Sequence, residues 1–275
     1  MKIQKVCGVF FSPTGTTQKI TEAVAERIAK NLGASLAMID LTLPESREKE
    51  RVFSETDLVI LGTPVYAGRV PNVIVKDLLA RLKGNGALGV AVVVYGNRHF
   101  DDALIELRDI LIEDEFQPIG GGAFIGEHSF SRILGAGRPD EEDLKIARQF
   151  GDQIALKCQR ALGDWEVPML DVEGNKPYRG HYVPKSKAGE AVDIRKVKPK
   201  TKDTCINCKI CARSCPMGSI EVDRVYEVSG ICIKCGACVK KCPVGAKYFD
   251  DPGFIYHKEE LEEDFSRRAE PKTFL

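Results

Sequence analysis

Cys205-Ile-Asn-Cys208-Lys-Ile-Cys211-Ala-Arg-Ser-Cys215-Pro216 is answered further along by Cys232-Ile-Lys-Cys235-Gly-Ala-Cys238-Val-Lys-Lys-Cys242-Pro243. Each cysteine recurs at a step of 27 residues (205 to 232, 208 to 235, 211 to 238, 215 to 242), as do the prolines and Gly218/Gly245. The stretch is an internal duplication. Three cysteines two residues apart wrap a tight loop around one face of an iron–sulfur cube, and the fourth lies just past them, turned away by its proline. Zinc prefers four ligands in paired C-x2-C units, and a disulfide framework is the other alternative. Two complete copies in register favour two [4Fe–4S] clusters over either.

Outward from this stretch, composition sets bounds. A chain of 275 residues predicts about two domains, at roughly 100–200 residues each. With 40 Lys plus Arg against 40 Asp plus Glu, no net field points to nucleic acid or an anionic membrane. No apolar run nears the roughly 18 residues of a membrane span, and no signal segment stands at Met1. Thiolate-held clusters fit a reducing compartment, so a cytoplasmic location is expected.

The first 164 residues alternate between two periods. Lys5 to Phe11 is a short apolar run, as in a parallel strand covered on both faces. Ser12-Pro13-Thr14-Gly15-Thr16-Thr17 follows, and then Ile20, Val24, Ile28 and Leu32 keep helical spacing up to Gly33. Further strands are predicted over 35–41, 57–63, 88–95 and 116–125, with helices over 73–82, 101–115 and 140–162 between and after them. Such alternation predicts an α/β, doubly wound, five-stranded parallel sheet. Residues 165–200 hold prolines at 168, 177, 184 and 199 and little periodicity, which reads as a linker or irregular wrap. The basic run 195–202 is either a solvated tether or a dock for an acidic partner or for the first domain. The remaining 201–275 form a small cysteine-rich domain with a charged tail, in which 258–268 is a short surface helix or frays.

Ligands of doubly wound sheets bind beyond the carboxyl ends of the strands. Three loops follow strands here: 12–17, 63–69 and 96–101. Strand, hydroxyl-rich turn and helix make a phosphate-binding arrangement, although an ordinary capped helix reads the same way. The turn lacks the G-x-x-x-x-G-K-[ST] pattern of a triphosphate loop. Tyr66 and Phe100 could stack on a flat ring, with Tyr95 or His99 as substitutes for Phe100. Gly84-Asn-Gly86-Ala-Leu-Gly89 matches a dinucleotide pattern by letter but precedes a strand, so it reads as a helix stop and turn. Gly120-Gly121-Gly122 inside a strand predicts either a bulge or a close backbone approach. Cys7 and Cys158 read as small core hydrophobes. His99 and His128 follow strands and lie either near the ligand or on ordinary loops.

Ser12-x-Thr14-Gly15-Thr16-Thr17 resembles the flavodoxin phosphate loop for FMN. Thr63-Pro64-Val65-Tyr66-Ala67-Gly68 and Gly96-Asn97-Arg98-His99-Phe100 resemble its two ring-flanking loops. Residues 201 to about 250 resemble a bacterial two-cluster ferredoxin. The whole is similar to fused flavodoxin–ferredoxin proteins of anaerobic bacteria and archaea, without the strongly acidic surface of typical flavodoxins. The resemblance implies FMN on these three loops and two [4Fe–4S] clusters with crossed fourth ligands. One cluster would take Cys205, Cys208, Cys211 and Cys242, and the other Cys232, Cys235, Cys238 and Cys215. It also implies an electron carrier that serves redox protein partners in anaerobic metabolism. A flavin-dependent reductase acting on NAD(P)H or a small substrate is the rival reading, and a redox sensor a more distant one. Assembly of two copies is left open.

Overall fold

The computed structural model describes residues 2–160, 168–186 and 188–275. In chain order the elements are β1 (Lys5–Phe10), α1 (Thr16–Leu32), β2 (Ser35–Asp40), α2 (Pro44–Arg47), β3 (Arg51–Val52), β4 (Asp57–Pro64), α3 (Asn72–Arg81), β5 (Leu82–Lys83) and β6 (Leu88–Tyr95). They continue with α4 (Ala103–Glu113), β7 (Gln117–Ile125), α5 (Glu141–Arg160), β8 (Lys200–Thr201), α6 (Ile210–Arg213), α7 (Ala237–Lys240), β9 (Lys247–Tyr248), α8 (Pro252–Asp264) and β10 (Lys272–Phe274). The expected helix end at Leu162 and the expected boundary at 164/165 lie outside the described residues.

Alternation within the strands builds the two faces. Val6, Leu58, Ile60, Val90, Val92 and Phe124 point one way and pack on Ile20, Val24 and Ile28 of α1 and Phe150 and Ile154 of α5. Their neighbours Cys7, Val9, Val59, Leu61, Ala91 and Val93 point the other way onto Ile74 and Leu78 of α3 and Leu104, Leu107 and Leu111 of α4. Strands buried on both faces read as continuous apolar runs, which is why β1, β4, β6 and β7 are legible in sequence.

The parallel strands lie in the order β2-β1-β4-β6-β7, so the reversal of winding falls between β1 and β4. A sixth strand, β10, joins the outer edge of β7 antiparallel, with Lys272, Thr273 and Phe274 opposite Ala123, Gly122 and Gly121. The chain therefore leaves this sheet after α5, builds the cysteine-rich half, and returns to it. The five-stranded expectation lacked this return. Of the two expectations for the triple glycine, the bulge is present, and what comes close to the glycines is side chain, not backbone. Ile119 is an extra residue between the Gly89–Pro118 and Val90–Gly120 pairs. A Cβ on Gly121 would sit 3.0 Å from Val172, and one on Gly120 would run into Ile154.

Residues 168–186 form an irregular wrap held down along α4. Arg108 donates to the Leu170 carbonyl (2.9 Å), Asp102 accepts from the amides of Asn175 (2.9 Å) and Arg179 (2.6 Å), and Asp109 accepts from the Tyr178 hydroxyl (2.5 Å). Among the described residues the basic run makes its longer-range hydrogen bonds within the cysteine-rich half. Lys198 donates to the Val228 carbonyl (2.8 Å) and Lys200 pairs with Asp250 (2.8 Å), both within the cysteine-rich half. The charged tail is also better anchored than expected. Asp251 caps α8 through the Phe254 amide (2.9 Å), Pro252 opens the helix, and Phe254, His257 and Leu261 bury one face of it.

Candidate functional site

Three loops at the carboxyl ends of β1, β4 and β6 form one wall of the site. In the first, Gly15 takes a left-handed conformation (φ 92°) that turns the chain into α1. The Ser12 hydroxyl accepts from the Gln18 amide (2.9 Å), and the Ser12 amide donates to Thr42 (2.9 Å). Ser12 thus shapes the turn. Among the described residues the amides of Thr16 and Thr17 donate to nothing, leaving the positive end of a 17-residue helix available to an anion. At the end of β4, the buried Thr63 hydroxyl likewise lacks a partner. Unpaired donors beside an unpaired buried hydroxyl fit the phosphate and polyol chain of a flavin nucleotide.

The two ring-flanking loops meet one another. Tyr66 and Arg69 close a tight turn, Gly68 (φ 80°) lies against Asp101, and the Gly68 carbonyl accepts from the Asp102 amide (3.1 Å). Tyr66 and His128 are half-buried, one within the 63–69 loop and the other packed on Gly96 of the 96–101 loop, and the space between these loops is the candidate crevice. Burial raises the Tyr66 phenol well above its ordinary value, and it pushes His128 down to about 3, so His128 is neutral. Gly96 packs directly on the His128 ring.

The 96–100 loop is divided in its roles. Asn97 is buried and holds the returning tail, donating to the carbonyls of Phe265 and Arg267 (both 2.6 Å) and accepting from the Ala269 amide (3.2 Å). Arg98 pairs with Asp101 and lies 4.3 Å over the Tyr182 ring. Phe100 is 1% exposed and packs in the core against Tyr95, so its ring is not turned to the crevice. His99, the substitute named above, covers Phe100 in a 4.8 Å stack and is exposed.

The opposing wall comes from the second cysteine run. Gly236 takes φ 75°, and a Cβ there would sit 2.5 Å from the Ser129 carbonyl oxygen. Lys240 binds Glu127 and the Ser131 carbonyl, and Arg132 donates to the Val239 carbonyl (3.1 Å). Ile233 packs against the same core cluster as Tyr66, and Cys235 and Cys232 are near enough to act on the Tyr66 phenol. Just beyond Cys215, the Pro216 carbonyl accepts from Arg47 (2.8 Å). An aromatic group of Phe130, Phe254 and Phe249, with centroids 4.6 and 4.2 Å apart, joins the 127–131 loop to α8.

Cys205, Cys208 and Cys211 of the first run line one cavity together with Cys242 of the second. Cys232, Cys235 and Cys238 lie close to one another and to Cys215, and burial pushes the Cys235 thiol up to about 12. Backbone amides point at both fourth cysteines, Ser219 at Cys215 (3.4 Å) and Ala246 at Cys242 (3.1 Å). Such donors favour a thiolate, the form that binds iron. Among the described residues no three His, Cys, Asp or Glu side chains close on a point the size of a single ion. Two four-cysteine groups, each drawing its fourth member from the other run, fit the chemistry of iron–sulfur clusters. Sequence reasoning placed Lys240 near the second cysteine run as a charge, but foresaw neither its contacts with the 127–131 loop nor those of Gly236. Gly236 stands where the first run has Lys209, and that difference was the available signal.

Residues 204–246 match the family model of the 4Fe-4S dicluster domain. No curated protein matches the chain. Among solved structures, a flavodoxin from the domain Archaea is 17% identical, covering 57% of this chain and 99% of its own (TM-score 0.41). The Streptococcus pneumoniae TIGR4 flavodoxin is 21% identical over 56% of this chain and 99% of its own (TM-score 0.40). The rubredoxin oxygen:oxidoreductase of Desulfovibrio gigas is 17% identical over 58% of this chain and 37% of its own (TM-score 0.41). Sheet order and cysteine motif define the class: a flavodoxin-like α/β fold joined to a 4Fe–4S ferredoxin-type domain. Among the described residues no helix is long and apolar enough to cross a membrane.

Proposed function

We propose that this chain is an electron-transfer protein that relays electrons between two [4Fe–4S] clusters and a bound FMN, linking low-potential donors to redox enzymes. The observation that carries the reading is the seating of the second cysteine run, through Gly236 and Lys240, on the loops beyond the strands' carboxyl ends. When bound, the clusters would exchange single electrons and the flavin one or two.

The chain's own residues do the rest. The amides of Thr16 and Thr17 bind phosphate at the start of α1, with the hydroxyls of Thr14, Thr16 and Thr17 as further donors. Thr63 offers its unpaired hydroxyl at the end of β4. Pro64, Val65, Tyr66, Ala67 and Gly68 on one side, and Gly96, Arg98 and His99 on the other, flank the ring. Neutral His128 adds a wall without adding charge. The two four-cysteine groups hold the clusters, and the amides of Ser219 and Ala246 stabilise their thiolates. With both cofactor types on one chain, transfer between them needs no encounter.

An anaerobic visible spectrum of the intact protein tests this. Stepwise bleaching of clusters and flavin by a reduced ferredoxin-type donor, with no change on adding NADH or NADPH, is expected. Bleaching of the flavin by nicotinamide alone would make the protein a reductase. Protein without flavin, or with fewer than two clusters, would overturn the relay.

A further inference from the structure

The two cluster sites stand in unlike positions relative to the flavin crevice. Among the described residues, every hydrogen bond and ion pair from the cysteine runs to the sheet domain, and the close Gly236 contact, involves residues beside Cys215, Cys235, Cys238 or Cys242. These are Pro216 to Arg47, Gly236 to Ser129, Val239 to Arg132, and Lys240 to Glu127 and Ser131. Among the described residues no hydrogen bond or ion pair joins 201–213 to 1–160. Ile206, between the first two cysteines of the first run, is 61% exposed, whereas its counterpart Ile233 packs against the sheet domain's core. Tyr66, on the crevice, and Ile233, which directly follows Cys232, pack against the same core cluster.

We propose that the cluster held by Cys215, Cys232, Cys235 and Cys238 is the flavin's immediate electron partner, across Tyr66, and that the cluster held by Cys205, Cys208, Cys211 and Cys242 is the outer one, where partner proteins exchange electrons. This assignment rests on the function proposed above. Each inward transfer oxidises the inner cluster by one electron and reduces the flavin by one. Two transfers, with two protons from solvent, complete the flavin's reduction. Tunnelling falls steeply with distance, so the nearer cluster carries this traffic.

The test compares holoprotein of the native sequence with Cys235→Ser and Cys208→Ser. Cofactor content is measured first, and then the flavin midpoint is read in anaerobic dithionite titrations followed by visible and EPR spectra. A nearby cluster's charge acts on the flavin more strongly than a distant one's. Cys235→Ser is expected to move the flavin midpoint at least threefold further than Cys208→Ser does. Equal shifts, or the larger shift in Cys208→Ser, overturn the assignment while leaving the relay standing. Native protein without flavin overturns both. A second measurement needs no variant. Graded ferricyanide and EDTA treatment of the native protein is expected to remove one cluster's EPR signal first, from the exposed site, with the flavin midpoint unmoved. A first loss that shifts the midpoint as much as loss of both clusters overturns the assignment.

Discussion

The two cysteine runs are near copies with opposite fates. Their backbones agree residue by residue: Asn207 and Lys234 (φ 53° and 55°), Lys209 and Gly236 (67° and 75°), and Gly218 and Gly245 (60° and 61°) all take left-handed conformations. A cluster-wrapping loop demands these angles, and both runs meet them. They differ in what lies outside the loop. The first presents Lys209 to solvent and bonds it to the Val222 carbonyl (2.6 Å), while the second strips that position to glycine and brings Ser129 against it. At the position following the pair, Ile210 is partly exposed, whereas Ala237 is fully buried. Ligand spacing is thus set by the metal centre, and the residues between ligands decide which copy docks.

The sharpest way to break this comparison is to give the docked copy its counterpart's residue. Gly236→Lys keeps an angle that Lys209 tolerates, so its cost comes from the Ser129 carbonyl. It is expected to lose about 3 kcal/mol or more in urea unfolding. The reciprocal Lys209→Gly should change stability by less than about 1 kcal/mol, at a site where the left-handed angle suits glycine. Equal effects from the two would mean that docking does not depend on position 236.

Asn97→Ala tests the returning tail on the docked side. It removes two donated and two accepted hydrogen bonds at a buried position, and about 2 kcal/mol should be lost. Hydrogen exchange of β10 should quicken accordingly.

Acid should loosen the docked face. His128 in the folded protein lies at about 3, below its unfolded value of about 6.5, so the folded state excludes the proton. That contribution is complete above about pH 6.5 and declines as pH falls toward 3. Lys240, Arg98 and His257 act in the same direction as burial. The native protein should lose on the order of 2 kcal/mol relative to His128→Gln by about pH 4.5, read from paired unfolding curves. The smallest effect belongs to the isoleucine pair. Ile233→Ala should cost about 1 kcal/mol and Ile206→Ala less than about 0.5 kcal/mol. A reversal would exchange the docked and free copies.

Much of this was legible in the sequence, for physical reasons. Parallel strands covered on both faces must be continuously apolar, so 57–63 and 88–95 announce themselves. Ligand spacing is fixed by cluster size, so the eight cysteines do too. Lys272-Thr-Phe274 could not be read that way. Three residues carry no period, and their strand exists only because β7 offers an unpaired edge. Phe100 shows another limit. A loop aromatic can face a ligand or the core, and Tyr95 and the α4 packing decided for the core. The reach of Lys240 to Glu127 depends on how two domains meet, which neither domain's pattern encodes.

The sixth strand changes what kind of fusion this is. Two modules strung end to end share a single tether, and each can swivel about it. Here the cysteine-rich module is fastened at both of its ends, like a bracket with two screws, by the wrap along α4 and by β10 on β7. Two fastenings leave one axis of rotation, and the Arg47 and Lys240 contacts between them take that away. On the relay proposed above, the gap an electron must cross would be set once, when the chain folds.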